Sequence, residues 1–156
     1  MKREDFAERV LSMTQALYYV TCSLLPVMAD REDALQNSIV KGLTQCEALR
    51  DDAKLRPWIT RILINECYTI LRQKKRVLLS ADVPPAPANG VDFTLRDAVM
   101  ALPEKKRIAL TLHLEGYTMK EIARILRVPE GTVKTRLRDA KKTLRRTLEE
   151  GEEVLA

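Results

Sequence analysis

Residues 118–146 repeat apolar side chains at helical spacing on either side of a break long enough only for a turn. Thr118 is placed to cap a first helix, with Glu121 three residues on to complete a capping box. Ile122, Ala123, Ile125 and Leu126 give that helix an apolar side. Arg127 and Val128 make the turn, and Pro129 sits where the first position of a helix tolerates a missing N–H. In the second helix Val133, Leu137, Ala140 and Leu144 recur every three or four residues, so one stripe faces inward. Its other face carries Lys134, Thr135, Arg136, Arg138, Lys141 and Lys142. Short helix, tight turn and longer basic helix form a helix-turn-helix, which places its second helix in a DNA major groove. Between 118 and 149 ten Lys/Arg stand against four Asp/Glu. A solvated cationic face on an ordinary surface helix is the plainer alternative, and the concentration of cations favours nucleic acid.

The 156 residues carry a net charge of +5, which also favours an anionic partner. That length fits one ordinary domain or two small helical ones. With 46% hydrophobic but only 4% aromatic residues, any core must be aliphatic. Cys22, Cys46 and Cys67 lie far apart, so they make neither a zinc motif nor a disulfide framework. Buried reduced thiols in a cytoplasmic protein are expected. The apolar stretch 16–29 is too short to span a bilayer and is interrupted by Thr21, Ser23 and Pro26. Lys2 and Arg3 are followed at once by Glu4, Asp5 and Glu8, which argues against a secretory leader.

Composition changes abruptly at residues 83–90, where Pro84, Pro85 and Pro87 deny the backbone donors and favour extended chain. We therefore expect an all-α protein of two small helical domains. The first covers 1–76, a linker 77–92, the helix-turn-helix domain 93–149, and an acidic tail 150–156. In the first domain one helix is expected from Arg3 to Leu25, ending before Pro26. A second is expected to start at Asp30 as N-cap, with Leu35, Ile39, Leu43 and Cys46 inward. The third runs from about Pro57 to Arg76 and buries Trp58, Ile59, Ile62, Leu63, Cys67, Ile70 and Leu71. The second domain opens with a helix near Phe93–Ala101 and continues with Glu104–Leu114.

Catalytic constellations are missing. The five glycines form neither a phosphate-binding loop nor a dinucleotide fingerprint. His113 is the single histidine, so base-plus-nucleophile and histidine–metal arrangements cannot be assembled. Asp30, Glu32 and Asp33 open a helix, and Asp51 and Asp52 sit in a loop. No enzymatic activity and no cofactor are expected.

The order of motifs resembles the small two-domain sigma factors of bacterial RNA polymerase, the extracytoplasmic-function type. Leu102-Pro103-Glu104-Lys105, Leu114-Glu115-Gly116-Tyr117-Thr118, Glu121-Ile122-Ala123 and Gly131 to Leu137 look like the promoter-binding C-terminal domain of that family. Arg31 to Ile39 resembles its polymerase-clamp segment, and Pro57 to Ile62 through Arg76 its −10 segment. The resemblance implies that Asp33, Gln36, Asn37 and Val40 dock on core polymerase. It assigns Arg61, Asn65, Arg72, Lys75 and Arg76 to the −10 element, with a pocket for one flipped base in the loop 48–55. Glu130, Gly131, Thr132, Lys134, Thr135, Arg136 and Arg138 fall to the −35 element. Implied partners are core RNA polymerase, promoter DNA and an anti-sigma factor, without membrane insertion. Arg127 stands where the turn commonly has Gly, so a strained positive φ is expected there. Asp139 stands where the family is usually basic, and Ile39 and Leu43 replace frequent aromatics. The rival readings are a stand-alone helix-turn-helix regulator, a sigma-like adaptor without promoter specificity, and a metal-dependent nuclease.

Overall fold

The computed structural model describes residues 1–80 and 95–155, with side chains described for 1–76 and 95–150. The described residues form eight α-helices and no strand. In chain order they are α1 (Arg3–Ser12), α2 (Thr14–Leu24), α3 (Met28–Gln45), α4 (Leu55–Ser80), α5 (Leu95–Met100), α6 (Glu104–Leu114), α7 (Met119–Leu126) and α8 (Glu130–Leu155). The expected proline linker at 83–90 lies outside the described residues.

The single helix expected from Arg3 to Leu25 is broken. Met13 adopts φ −111°, ψ 10° between α1 and α2. The hydroxyls on either side cause competition for the backbone, because Ser12 Oγ donates to the Arg9 carbonyl at 2.6 Å and Thr14 Oγ1 to the Val10 carbonyl at 3.1 Å. The break frees α1 to lay Phe6 and Val10 into the core. Asp30 is not the N-cap of the next helix either. The N-cap is Val27, three residues earlier and without a side-chain cap bond, and the Asp30 carboxylate instead pairs with Lys74 of α4. Arg31 closes the corner, donating from Nε to the Leu25 carbonyl at 2.6 Å and from Nη2 to that of Pro26 at 3.3 Å.

α3 and α4 form the main contact of the first half. The fully buried line on α3 is Ala34, Ser38 and Gly42, while Leu35, Ile39 and Leu43 flank it half-buried. A Cβ at Gly42 would fall 2.3 Å from Phe6 Cζ, so the small residue is required there. Phe6 meets Trp58 edge-on at 6.2 Å between ring centroids. Glu66 is buried on α4 and is paired with Lys41 of α3. Cys46 and Cys67 are buried and unpaired, as expected, and Cys22 is half-buried. Burial, aided by the neighbouring Glu66 carboxylate, pushes the Cys67 thiol up to about 12.

α4 buries a second side that periodicity did not identify. Thr60 and Ile64 point away from α3 and meet the second half of the chain. There α6 and α7 pack on α8 through Ile108, Leu112, Ile122, Val133, Leu137 and Ala140. α2 packs on α6 and α4 on α7, so both halves join one continuous core. The backbone of α8 runs unbroken to Leu155, so the last residues continue the helix.

Candidate nucleic-acid interface

The helix-turn-helix forms as its sequence dictates. Thr118 Oγ1 accepts from the Glu121 N–H at 3.1 Å, and the Glu121 carboxylate accepts from the Thr118 N–H at 2.9 Å. Two of the donors left open at the start of α7 are thereby satisfied. α7 ends on Arg127 at φ 57°, ψ 47°, the left-handed conformation expected there. The turn is closed by the Val128 N–H bonding to the Ala123 carbonyl at 3.0 Å. Pro129 lies just before α8, rather than at its first position, and its carbonyl accepts from the N–H groups of Thr132 and Val133.

On α8, Val133, Leu137 and Ala140 are buried against α6 and α7. Glu130, Gly131, Lys134, Thr135 and Arg138 are exposed, and Thr132 is half-buried. They form one solvent-facing surface at the N-terminal end of the helix, the end that commonly meets base edges. Asp139 is half-buried with its carboxylate 3.8 Å from Arg138 Nε, so its negative charge is partly spent on its neighbour. Arg136 departs from the set. It is half-buried and turns toward α4, lining a cleft of about 300 Å³ with Asn65, Tyr68, Lys105 and Arg127.

On α4, Arg61, Asn65, Arg72, Lys75 and Arg76 are all exposed. Arg61 and Asn65 are four apart and share a side of the helix. Below them, two short 3-10 turns, Cys46–Ala48 and Asp52–Lys54, shape the loop where a base pocket is expected. Asp51 Oδ1 accepts from the Ala53 N–H at 3.1 Å, and Arg9 Nη1 donates to the Asp52 carbonyl at 2.9 Å, which pins the loop to α1. A cleft of about 480 Å³ does open here, between Leu49, Lys54, Trp58 and Arg61 on one wall and Lys120, Arg124 and Ile125 of α7 on the other. Sequence reasoning did not foresee that the second half of the chain would supply that wall. On α3, Asp33, Gln36, Asn37 and Val40 are exposed together at spacings of three and four, with Val40 62% exposed.

Tyr68 was not singled out from sequence. It accepts its place opposite Glu104, where burial and that carboxylate, which also hydrogen-bonds the phenol, push it up to about 12 against the opposing effect of Arg136. Among the described residues no cluster of His, Cys, Asp and Glu suited to a metal ion occurs. No helix among them is long and apolar enough to cross a membrane.

Residues 10–77 match the family model for sigma-70 region 2, and residues 92–144 that for sigma-70 region 4. The extracytoplasmic-function RNA polymerase sigma factor SigM of Mycobacterium tuberculosis is 32% identical over 126 residues, covering 76% of this chain. SigW of Bacillus subtilis is 25% identical over 168 residues, covering 94% of this chain and 90% of its own length. The chain is an extracytoplasmic-function member of the sigma-70 family. It spans 64% of the length of the mycobacterial sigma factor. The solved structure of the sigma factor RpoE from Bartonella quintana, in complex with the anti-sigma factor NepR, superposes with a TM-score of 0.81 at 25% identity. That match covers 94% of this sigma-family chain and 98% of RpoE. Region 2 thus falls on most of α1–α4, and region 4 on α5 to the middle of α8.

Proposed function

We propose that the protein is a dissociable specificity subunit of bacterial RNA polymerase, which binds the core enzyme and directs it to promoters. The observation that carries this reading is the pairing of two matched sigma regions with three separate exposed surfaces on α3, α4 and α8. Residues 1–76 form the region 2 unit, 77–92 the connection, 93–149 the region 4 unit and 150–156 the tail. The α3 surface of Asp33, Gln36, Asn37 and Val40 docks on core polymerase. Arg61, Asn65, Arg72, Lys75 and Arg76 hold the −10 element, cations on phosphate and the Asn65 amide on a base edge. Glu130, Gly131, Thr132, Lys134, Thr135, Arg136 and Arg138 meet the −35 element in the major groove. The chain itself performs no bond chemistry and uses no cofactor, and it works in the cytoplasm. An anti-sigma factor, as held by the solved RpoE relative, is the expected regulator.

The test is transcription-start mapping with purified core polymerase and genomic DNA, with and without the protein. New starts sharing two spaced upstream elements are expected. Arg138→Ala, on the exposed face of α8, should then lower transcription from those promoters by roughly 5- to 100-fold, the worth of one arginine base or phosphate contact, while core binding stays unchanged. Absence of new starts at saturating protein would refute the reading.

A further inference from the structure

The loop that joins α3 to α4 consists of two separate short turns. Within the first, the Leu49 N–H bonds to the Cys46 carbonyl at 3.0 Å. Within the second, the Lys54 N–H bonds to the Asp51 carbonyl at 3.0 Å, beside the Asp51 carboxylate that caps Ala53. Among the described residues no hydrogen bond runs from one turn to the other, so no bond within the loop sets their relative placement. Asp51, Asp52, Ala53 and Lys54 are all exposed, and a turn with so little buried surface opens easily by itself.

Both turns are tied instead to the N-terminal segment. The Met1 amino group donates to the Leu49 carbonyl at 2.8 Å, and Arg9 Nη1 to the Asp52 carbonyl at 2.9 Å. Phe6 stands three residues before Arg9, on the same side of α1, and is fully buried. Its ring lies against α3 at Gly42 and meets Trp58 of α4 edge-on. One side of α1 thus braces the loop through Arg9 and the first turn of α4 through Phe6. Leu49, Lys54 and Trp58, held by these supports, line one cleft with Arg61. The match to sigma-70 region 2 begins at residue 10, so Phe6 and Arg9 both lie ahead of it.

We propose that α1 is a strut for the loop 48–55, and that Arg9 is a positioning residue for −10 recognition, acting through the Asp52 carbonyl and not on DNA. The proposal rests on the sigma-factor reading, in which that loop takes one flipped base. A pocket tells bases apart only when its polar groups are held within about 0.5 Å of the productive geometry. The second turn gains that rigidity from outside the loop, since its own bonds leave it free to move against the first. Arginine suits the task, because an ionised donor makes a stronger bond to a carbonyl than a neutral one. The helix that carries it is itself fixed in the core by Phe6 and Val10.

Arg9→Ala removes the tie and touches none of the surfaces assigned to polymerase or DNA. Arg9→Lys keeps a cation able to donate to the same carbonyl. Each protein would be run with core polymerase on promoters from the start-site map, substituted one base at a time in both elements. The readout is the ratio of transcription from the native −10 sequence to that from each substituted one. Arg9→Ala should lower this ratio about 2- to 10-fold at one or two −10 positions, the shift expected on losing one exposed hydrogen bond. Ratios for the −35 element should stay unchanged, and Arg9→Lys should recover most of the native discrimination. Unchanged −10 ratios would overturn the proposal. So would a uniform loss across all promoters, which is the mark of a phosphate contact or of lowered stability. Far-UV circular dichroism checks that helicity is kept, and if Arg9→Ala unfolds, Arg9→Gln carries the test. A native chain that starts no transcription, or shows no −10 preference, would overturn the sigma-factor reading itself, which keeps that failure apart from failure of the strut.

Discussion

Arg127 occupies a backbone conformation that costs an L-residue roughly 1–2 kcal/mol, because its Cβ crowds the following carbonyl. The turn between α7 and α8 imposes it, and the bond from the Val128 N–H to the Ala123 carbonyl holds it in place. Glycine would meet the same demand without the steric cost. Arg127→Gly should therefore raise stability by about 1 kcal/mol, after allowing for the freedom glycine adds to the unfolded chain. Thermal unfolding followed by circular dichroism checks this, and a lower midpoint would show that the Arg127 side chain contributes more than its backbone costs. The turn was legible in the sequence because Leu126 and Pro129 leave room for nothing longer, and Thr118 with Glu121 announces the helix before it. Arg56 and Arg107, which donate to the Glu115 and Ser23 carbonyls of the opposite half, were not legible. Their partners lie 59 and 84 residues away and are backbone carbonyls, which any residue would supply. A long flexible cation on a helix looks the same in sequence whether it is solvated or clasping.

At the level of elements, α3 shows what periodicity conveys and what it leaves out. The heavy aliphatics Leu35, Ile39 and Leu43 mark the inward side correctly, yet they flank the contact with α4. The fully buried line belongs to Ala34, Ser38 and Gly42, where small side chains leave room for neighbouring elements to come near. Gly42→Ala should cost about 1–3 kcal/mol, since the added methyl overlaps Phe6 and disturbs its edge-on contact with Trp58. Urea denaturation would measure this, and an unchanged midpoint would mean that Phe6 yields without loss. The break at Met13 was invisible to an apolar pattern that continues through it. It is set by two hydroxyls capturing carbonyls, a local competition that hydrophobic spacing does not register. On α4 the misreading had another cause: with two sides buried, the helix lacks the single polar face from which burial is inferred.

For the whole molecule, the composition of residues 83–90 argues for two separable units, and it says nothing about whether those units dock. The structure joins them through α2 on α6 and α4 on α7, in one core. Calorimetric unfolding of the full chain should accordingly give a single transition, with van't Hoff and calorimetric enthalpies equal within error. Two resolved transitions would mean that the seam contributes little to either half. The all-α architecture and the family were legible at this scale, because helical spacing and the motifs each lie within one stretch of sequence, whereas the docking seam exists only between stretches. The placement of Trp58 gives the molecule an optical gauge of its own. It is the single tryptophan, set edge-on to Phe6 on the wall that faces α7. Parting the halves removes that opposite wall and hydrates the indole, so its emission should shift to the red and become open to iodide quenching. Unlabelled protein would thus report on the state of its own seam, in real time.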